Sequence, residues 1–311
     1  MPQRLMLLDT ASLYFRAFFG VPDMRTPDGT PVNAVRGLLD FIARLVSTHE
    51  PTDLVCCWDN DWRPQWRVDL IPSYKAHRVV APIPGGVDIE ETPDPLEVQI
   101  PMIEAVLEAF GITVIGADGY EADDVIGSLA SQATMPVDVV TGDRDLFQLV
   151  DDAHGVRVLY IARGVGNLET LTESAIVKKY GVLPEQYVDF AVMRGDASDG
   201  LPGVKGIGDK TAASLLQQYG DLAGIRAAAA DPSTKMATGV RAKLSTAGDY
   251  LDVAPTVVAV ARDLDLHAPA TALQPLDDAG VQIVSELQEK WGLGGSVTRV
   301  LHALGNQPVG S

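Results

Sequence analysis

Nine acidic residues could do chemistry together, because most of them follow short apolar runs or open a helix-like segment. They are Asp9, Asp59, Glu121, Asp123, Asp124, Asp143, Asp145, Asp196 and Asp199. Carboxylates gathered at one edge of a sheet repel one another and resist burial unless a cation neutralises them. Ligands that are all oxygen select hard divalent cations such as Mg²⁺ or Mn²⁺. The pattern therefore predicts a multi-metal site that cleaves phosphodiester bonds.

The runs before these acids have the composition of buried parallel strands. Residues 4–8 stop at Asp9, residues 54–58 stop at Asp59, residues 137–142 lead into Asp143, and residues 112–115 give a further strand. In an open α/β sheet, ligands bind beyond the carboxyl ends of the strands, where residues distant in sequence become neighbours. The sequence predicts an α/β fold with a central, mostly parallel sheet flanked by helices.

A plainer interpretation exists for the acids at 121–124. Carboxylates are common in the first turn of a helix, because they complement the helix dipole. That interpretation accounts for one acidic cluster, at the start of the helix predicted from about residue 121. It does not account for four clusters that follow strand ends.

A second motif lies at residues 203–208, which read Gly-Val-Lys-Gly-Ile-Gly and continue into Lys210 and Thr211. Closely spaced glycines allow a tight turn and let a phosphate approach the amides at the next helix start. Lys205 and Lys210 add positive charge. The alternative is an ordinary glycine-rich turn. The full string favours a helix-hairpin-helix that grips the DNA backbone through Gly203, Lys205, Gly206, Gly208, Lys210 and Thr211.

Composition favours an intracellular enzyme. The chain has 311 residues and 46% hydrophobic content, which suits one large core with a small second module. Cys56 and Cys57 are adjacent in an apolar run and are predicted to be buried thiols, and scattered histidines disfavour zinc. We expect a cytoplasmic protein without a membrane segment. The net charge of −18 disfavours a polyanionic partner at first sight, but a local basic surface or bound cations can reverse the potential.

Taken together, these segments resemble the 5′ nuclease superfamily, specifically the bacterial 5′→3′ exonuclease or flap endonuclease that also forms the N-terminal domain of DNA polymerase I. The resemblance covers nearly the whole chain, and we expect a freestanding member because no polymerase domain fits after the motifs. Its motifs are Asp9 with Arg16, Asn33-Ala34-Val35 with Gly37, Trp58-Asp59, Tyr74-Lys75-Ala76-His77-Arg78, Gly119-Tyr120-Glu121-Ala122-Asp123-Asp124, Thr141-Gly142-Asp143-Arg144-Asp145-Leu146, and Gly195-Asp196-Ala197-Ser198-Asp199 followed by Leu201-Pro202-Gly203.

The resemblance implies a PIN-like 5′ nuclease fold with a helical arch and a helix-hairpin-helix (H3TH) module. It implies two metal clusters, the first formed by Asp9, Asp59, Glu121 and Asp123 and the second by Asp143, Asp145 and Asp199. Asp123 lies between them, and Asp124 and Asp196 are further carboxylates of the set. The implied cofactors are Mg²⁺ or Mn²⁺, two or more ions that activate water and neutralise the reacting phosphate. The resemblance also leaves room for K⁺ at the helix-hairpin-helix.

The resemblance gives roles to four basic residues. Lys75 and Arg78 match arch residues that stabilise charge on the scissile phosphate, and Arg16 and Arg67 match phosphate ligands. Taken alone, each would more often be a solvated surface residue. The implied substrate is DNA with 5′ flaps, 5′ overhangs or free 5′ ends, bound without sequence specificity by a monomer that acts in replication and repair.

The chain departs from the family at several places near the predicted site, among them Thr10, which stands where the family usually has Gly after the first aspartate. Gly200 stands where the family usually has Asn after Asp199, and it is expected to loosen that loop. The arch, about residues 72–98, is basic first and acidic later, and four prolines after Arg78 forbid a continuous helix.

The predicted domains are a nuclease core at 1–193 that includes the arch, a helix-hairpin-helix module at 194–255, and a C-terminal region at 256–311. The last region is predicted to add a strand at 256–260 and two helices within 279–304 that pack back on the core.

Two other classes of protein share part of this pattern. A Mg²⁺-dependent phosphatase also gathers aspartates at strand ends, but it has no use for a helix-hairpin-helix. A catalytically silent DNA-binding relative would keep the hairpin and lose ligands, whereas every matched ligand is present here.

Overall fold

The computed structural model describes residues 3–83, 86–267 and 270–306. The strands in chain order are β1 (Leu5–Asp9), β2 (Asp53–Trp58), β3 (Val79–Ala81), β4 (Ile89–Glu90), β5 (Thr113–Gly116), β6 (Val137–Thr141), β7 (Val156–Tyr160) and β8 (Glu169–Leu171). Six of them form one sheet with the order β5-β2-β1-β6-β7-β8, and β3 and β4 form a separate antiparallel pair. The four predicted strands from β1, β2, β5 and β6 are confirmed, whereas β7 and β8 were not predicted.

Helices connect and cover the strands. They are α1 (Thr10–Gly20), α2 (Asn33–His49), α3 (Gln65–Leu70), α4 (Asp94–Glu97), α5 (Ile100–Ala109), α6 (Ala122–Gln132), α7 (Glu173–Tyr180), α8 (Tyr187–Arg194), α9 (Asp209–Tyr219), α10 (Leu222–Ala230), α11 (Thr238–Thr246), α12 (Gly248–Val258), α13 (Asp278–Trp291) and α14 (Gly295–Ala303).

Strand β1 lies at the centre of the sheet, and the chain leaves it toward both edges. Its pairs with β2, on one side, and β6, on the other, are parallel, as are the pairs β2–β5 and β6–β7; only β8 is antiparallel. Asp9 is level with Cys57 of β2, and Leu8 is level with Val140 of β6. The connections from β1 thus lead to strands on both of its sides, and a crevice forms beside β1 at the carboxyl ends of the strands.

Alternate strand residues bury themselves on opposite faces of the sheet. Leu5 and Leu7 of β1 pack with α6 and the helices from α7 to α12, whereas Met6 and Leu8 pack with α1, α2, α5, α13 and α14. Cys56 and Cys57 likewise belong to opposite faces and are both free and buried, as predicted. Burial raises the pKa of Cys56 to about 12, so the thiol is inert at neutral pH.

The predicted strand at 256–260 is wrong, because α12 continues through Val258. Leu251, Ala254 and Val257 recur at helical spacing and are all buried, so packing overrides the strand preference of the β-branched run. The two predicted C-terminal helices are confirmed as α13 and α14. They separate at Gly292, whose left-handed backbone ends α13.

In its described residues, 72–83 and 86–98, the arch region has short helical segments rather than one continuous helix. Residues Ala76–Arg78 form one 3₁₀ turn, β3 and β4 pair as a short hairpin, and α4 has four residues. Pro82 and Pro93 flank these elements, and proline removes a backbone donor that a continuous helix needs. The helical arch implied by the resemblance is therefore corrected to a hairpin.

None of the helices in the described part of the chain has the length and hydropathy that crossing a membrane requires.

Candidate active site

A cleft of about 460 Å³ opens where β1, β2 and β6 end. Five predicted metal ligands line it, namely Asp9, Asp59, Glu121, Asp123 and Asp143. Lys75 and Arg78 also line it, together with Asp88 and Glu90 of the hairpin region. The fold therefore brings together residues that are as much as 134 positions apart, and seven carboxylates face two cations.

Asp9 is fixed by the junction of strand and helix. It is the last residue of β1 and the N-cap of α1, where its Oδ1 accepts the Ser12 backbone N–H at 3.1 Å. Its Oδ2 accepts the Thr141 hydroxyl at 2.7 Å. Thr141 also accepts the Asp143 N–H at 2.8 Å, so this hydroxyl links two predicted ligands. Sequence reasoning missed that role, although Thr141 stands in the quoted motif.

Three carboxylates of the cleft, those of Asp59, Asp123 and Asp143, have raised pKa values. Burial, followed by the charges of Glu121 and Asp9, raises the pKa of Asp59 to about 7, although its Oδ1 accepts the Ala122 N–H at 2.8 Å. Burial and the charge of Asp143 raise the pKa of Asp123 well above its ordinary value. Burial and Asp9 also raise the pKa of Asp143. Such shifts mark an excess of negative charge that a cation would relieve.

Asp145 and Asp199 form a second acidic group beyond Asp143. Burial and the charges of Asp143 and Asp199 raise the pKa of Asp145. Its Oδ1 is buried and has no hydrogen-bond partner. Asp199 instead accepts Arg78 Nη2 at 3.0 Å through Oδ1, and its backbone carbonyl accepts the Lys75 N–H at 2.9 Å. The unpaired oxygen of Asp145 fits a cation ligand.

Asp196 differs from its neighbours because protein groups satisfy both of its oxygens. Ser198 donates its backbone N–H to Oδ1 at 2.9 Å, and Arg194 and Arg144 donate to Oδ2 at 3.2 and 3.4 Å. Burial works the other way, but the Ser198 hydrogen bonds and the arginines hold the pKa of Asp196 below its usual value. Asp196 anchors its loop, and its role as a metal ligand stays a prediction.

The predictions for Asp124 and Arg67 are corrected. Asp124 is fully buried, and Arg67 is only 2% exposed. The guanidinium binds both carboxylate oxygens of Asp124, at 2.7 and 2.8 Å. Asp124 therefore has no open oxygen for a metal ion, and Arg67 cannot reach a DNA phosphate. Both lie behind the cleft, because α6 turns Asp124 away from the face that carries Asp123.

Glu121 and Lys75 pair across the cleft wall. Lys75 Nζ binds Oε2 of Glu121, and the Tyr74 hydroxyl donates to Oε1 at 2.7 Å. Although burial opposes it, the Glu121 charge raises the pKa of Lys75, so the ammonium stays charged. The Lys75 backbone has φ +48°, a left-handed conformation that non-glycine residues rarely adopt. Tyr74, missed as a site residue, lies in the quoted motif beside Lys75.

Arg16 lies next to the end of β6 rather than in the cleft lining. Its Nη1 donates to the Ala162 carbonyl at 3.3 Å. A side-chain carbon on Gly142 would lie 3.5 Å from its Nη2, an ordinary van der Waals distance, so the guanidinium lies beside the residue that precedes Asp143. Its role toward phosphate stays a prediction.

Gly200 does not loosen the loop that carries Asp199. Its φ is +69°, and a Cβ there would lie 2.1 Å from the Ser73 carbonyl oxygen. Ser73 Oγ donates to the Gly200 carbonyl at 2.8 Å. The glycine is required because this loop packs directly against the backbone before Lys75.

The predicted hairpin forms a tight turn between buried anchors. Val204 and Ile207 are buried, whereas Lys205, Gly208 and Lys210 are exposed. Gly208 is the N-cap of α9, and Thr211 lies in its first turn. The start of α9 and the two lysines are therefore exposed, and a helix start of this kind can bind a phosphate.

Two hairpin glycines adopt the left-handed backbone conformation that favours glycine. Gly203 has φ +63°, and a Cβ there would lie 2.6 Å from the Arg194 carbonyl. Gly206 has φ +80° and lies against Lys243 of α11, whose Nζ donates to the Gly206 carbonyl at 2.8 Å. Lys243 adds a positive charge to the hairpin that no sequence signal indicated.

Among the described residues, no three His, Cys, Asp or Glu side chains already converge as a coordination site. Lys75 and Arg78 instead bind Glu121 and Asp199. The donor chemistry nonetheless fits divalent cations, because the ligands are all oxygen, Asp145 has an unpaired buried oxygen, and the pKa values of Asp59 and Asp123 are raised.

Comparison with known proteins gives the family. The protein-family model described as 5'-3' exonuclease, N-terminal resolvase-like domain, matches residues 4–181. A second family model, described as 5'-3' exonuclease, C-terminal SAM fold, matches residues 182–279. The chain is 61% identical to a Streptomyces coelicolor 5'-3' exonuclease, over 96% of this chain and 99% of that protein. It is 49% identical to a Mycobacterium tuberculosis 5'-3' exonuclease, over 98% of each.

A solved structure has the same fold. It is the bacteriophage T5 D15 flap endonuclease in a complex with DNA and metal ions, at a TM-score of 0.62 and 16% identity, covering 97% of this chain and 99% of that one. The likeness extends over both the sheet and the helical C-terminal part. The matches in sequence and fold agree with the carboxylate cleft and the hairpin, and this chain belongs to the 5'-3' exonuclease family.

Proposed function

We propose that this protein is a divalent-metal-dependent, structure-selective DNA 5′ nuclease that acts as a 5′→3′ exonuclease and a 5′-flap endonuclease in replication and repair. The observation that carries the proposal is the cleft in which Asp9, Asp59, Glu121, Asp123 and Asp143 meet beside Lys75 and Arg78. Such a cleft repels a phosphodiester unless cations are bound in it. The similar T5 protein is described as a flap endonuclease bound to DNA and metal ions.

The acidic and basic residues of the cleft have different roles in the proposed hydrolysis. The cleft carboxylates and Asp145 would hold two or more Mg²⁺ or Mn²⁺ ions, which lower the pKa of bound water and neutralise phosphate charge. Lys75 and Arg78 are held at the cleft wall by Glu121 and Asp199. There they can stabilise the charge that develops on the scissile phosphate. Arg16, beside the end of β6, supplies a further cation to the same phosphate.

Duplex binding would come from the hairpin. Lys205, Lys210 and the exposed start of α9 present positive charge and backbone N–H groups, which contact phosphates without reading bases. A K⁺ ion at this turn would extend that contact. We assign catalysis to residues 1–193, duplex binding to 194–255, and packing support to 256–311. We further propose that the protein acts in the cytoplasm as a monomer on 5′ flaps, 5′ overhangs and free 5′ ends.

The decisive experiment incubates the protein with a 5′-flapped duplex, with and without Mg²⁺ or Mn²⁺. We expect cleavage only with the metal. The variant Asp143→Asn with Asp145→Asn should lose at least about 10³-fold in single-turnover rate, because both predicted ligands lose charge. It should bind the flapped duplex with nearly unchanged affinity, because the hairpin is intact.

Two results would contradict the proposal. Cleavage at the parent rate by the double variant would remove these aspartates from the mechanism. Binding without cleavage by the parent protein, with either metal, would instead indicate a silent DNA-binding relative.

A further inference from the structure

Arg67 and Asp124 form a buried ion pair directly behind the cleft. Besides holding Asp124, the guanidinium places Nη1 3.2 Å from Oε1 of Glu121. Of these three side chains, Glu121 alone lines the cleft. Arg67 therefore contacts a predicted metal ligand from the protein side.

The pair joins the start of α6 to the end of α12. Asp124 accepts the Glu121 backbone N–H at 3.2 Å and the Ala261 N–H at 2.9 Å. Arg67 Nε donates to the Val257 carbonyl, in the last turn of α12, at 3.0 Å. The bond from Asp124 to the Glu121 N–H is half of a capping box that sets the first turn of α6. Both the backbone and the carboxylate of Glu121 thus depend on this pair.

The other partners of Glu121 are of a different kind. Tyr74 and Lys75 come from the chain before the hairpin, and Lys75 also lines the cleft. The charges of Arg67 and Lys75 balance those of Asp124 and Glu121. Removing Arg67 would leave two buried carboxylates with one cation, which is costly in a site of low dielectric.

We propose that Arg67 and Asp124 are a positioning pair that fixes Glu121 in the cleft and thereby sets the affinity for the divalent cation. This inference rests on the proposed function and deepens it. Groups that orient the ligands of a metal typically change metal affinity by about 10–100-fold when they are removed. A pair that served folding alone would change stability and leave the metal affinity of the folded protein unaltered.

The test measures Mn²⁺ binding to the full chain without DNA, by isothermal titration calorimetry. Asp124→Asn keeps the size of the side chain but weakens the grip of Arg67, and Arg67→Lys keeps the charge but loses the two-pronged contact. We expect both to bind Mn²⁺ about tenfold or more weakly. On a flapped duplex, the Mn²⁺ concentration for half-maximal cleavage should rise, while the rate at saturating Mn²⁺ changes less.

A matched control is available at the other end of the sheet. Asp138 of β6 is fully buried and binds Arg157 at 2.7 Å and Arg4 at 2.6 Å. Asp138→Asn removes a comparable buried charge far from the strand ends that carry the site. It should lower the melting temperature and leave Mn²⁺ affinity unchanged.

A double variant separates folding from positioning. Arg67→Met with Asp124→Leu replaces the ion pair by apolar groups, which often costs little stability. We expect its melting temperature to exceed that of Asp124→Asn, while its Mn²⁺ affinity stays as weak. Recovery of Mn²⁺ affinity in this variant would overturn the proposal, and so would parent-like affinity in Asp124→Asn. If Asp124→Asn does not fold, the affinity of Arg67→Lys decides in the same way.

Different results would contradict the proposed function and the proposed role of the Arg67–Asp124 pair. If the parent neither binds Mn²⁺ nor cleaves a flapped duplex, the proposed function is wrong. If the parent does both and the variants match it, only the role of the pair is wrong.

Discussion

At the scale of single residues, adjacent acids in the same motif have opposite fates. Asp123 faces the cleft with a raised pKa, whereas Asp124 is sealed behind it by Arg67. Successive helix residues point about 100° apart, so neighbours in a motif need not share an environment. Lys75 shows the converse: it is a cation predicted to meet phosphate, and here it is bound to Glu121. The type and spacing of a residue thus indicate which chemistry it can do more reliably than they indicate which residue it will contact.

Asp59 gives a pH prediction for the metal-free protein. Its folded pKa is about 7, against about 3.9 in an unfolded chain. Between those pH values the folded state keeps a proton that the unfolded state has released, so stability falls as the pH rises through this range. In a chelator, we expect the melting temperature of the parent to fall from about pH 5 to about pH 8 by a few degrees more than that of Asp59→Asn.

The check is a pair of thermal melts at each pH. Asn can still accept the Ala122 N–H, so the variant keeps the contact and lacks only the titrating proton. Equal pH dependence in the two proteins would show that Asp59 titrates near its ordinary value. Mg²⁺ should stabilise the parent more at the higher pH, because metal and proton compete for the same oxygens.

At the scale of elements, the site is built from junctions. Asp9 ends β1 and begins α1, Glu121 caps α6, and Asp199 lies in the loop after α8. That loop is held by Gly200, which packs against the Ser73 carbonyl. Junctions suit a functional site because the strands and helices hold them in a fixed position. At the same time, backbone groups at the end of a helix or strand lack partners within that element and are free to bind other groups.

Gly200→Ala tests this junction. An added Cβ would lie 2.1 Å from Ser73 O, so the loop must move and carry Asp199 with it. We expect loss of stability on the order of 2 kcal/mol or more, and a cleavage rate lowered about tenfold or more, since misplacing a ligand weakens the site.

The matched control is Gly292→Ala. Gly292 has a similar φ of +60° and no atom within 4 Å of an added Cβ. It should lose on the order of 1 kcal/mol from backbone strain alone, with normal cleavage of the flapped duplex. If the two variants cleave equally well, the Ser73 contact does not position Asp199.

At the scale of the whole molecule, the protein is strongly acidic, with a net charge of −18, yet it belongs to a DNA-processing family. The cleft itself contributes seven carboxylates against Lys75 and Arg78. Affinity for DNA must therefore come from bound cations and from local basic surfaces such as the hairpin. The exposed Lys205 and Lys210, with Lys243 behind the turn, supply such a surface.

The variant Lys205→Ala with Lys210→Ala tests that surface. It should weaken binding similarly for unrelated duplex sequences, because phosphate contacts carry no sequence information. The slope of log affinity against log salt should become shallower by up to about two phosphate equivalents. Binding curves across a salt series measure this, and cleavage of a short single-stranded 5′ oligonucleotide, which should be nearly normal, is the control. An unchanged slope would mean that the duplex is held elsewhere.

The sequence by itself determined four of the five parallel strands, the placement of acids at strand ends, the hairpin and the family. These features are local: apolar runs specify strands, and Gly-rich strings specify turns. It also predicted that five acidic residues would lie together, because parallel topology brings strand ends together. These residues line the cleft, and they are Asp9, Asp59, Glu121, Asp123 and Asp143.

The tertiary structure alone decided which side chains meet. Arg67 and Asp124 form a buried ion pair, and Lys75 binds Glu121. Residues 256–258 are helical, and a hairpin takes the place of the expected helical arch. The prolines after Arg78 had already ruled out one continuous helix in the arch. The other outcomes depend on contacts between distant parts of the chain, such as Arg67 with Val257 or Gly200 with Ser73. Local sequence preference is too weak to set them, because burial and the pairing of buried charge contribute more free energy than propensity does.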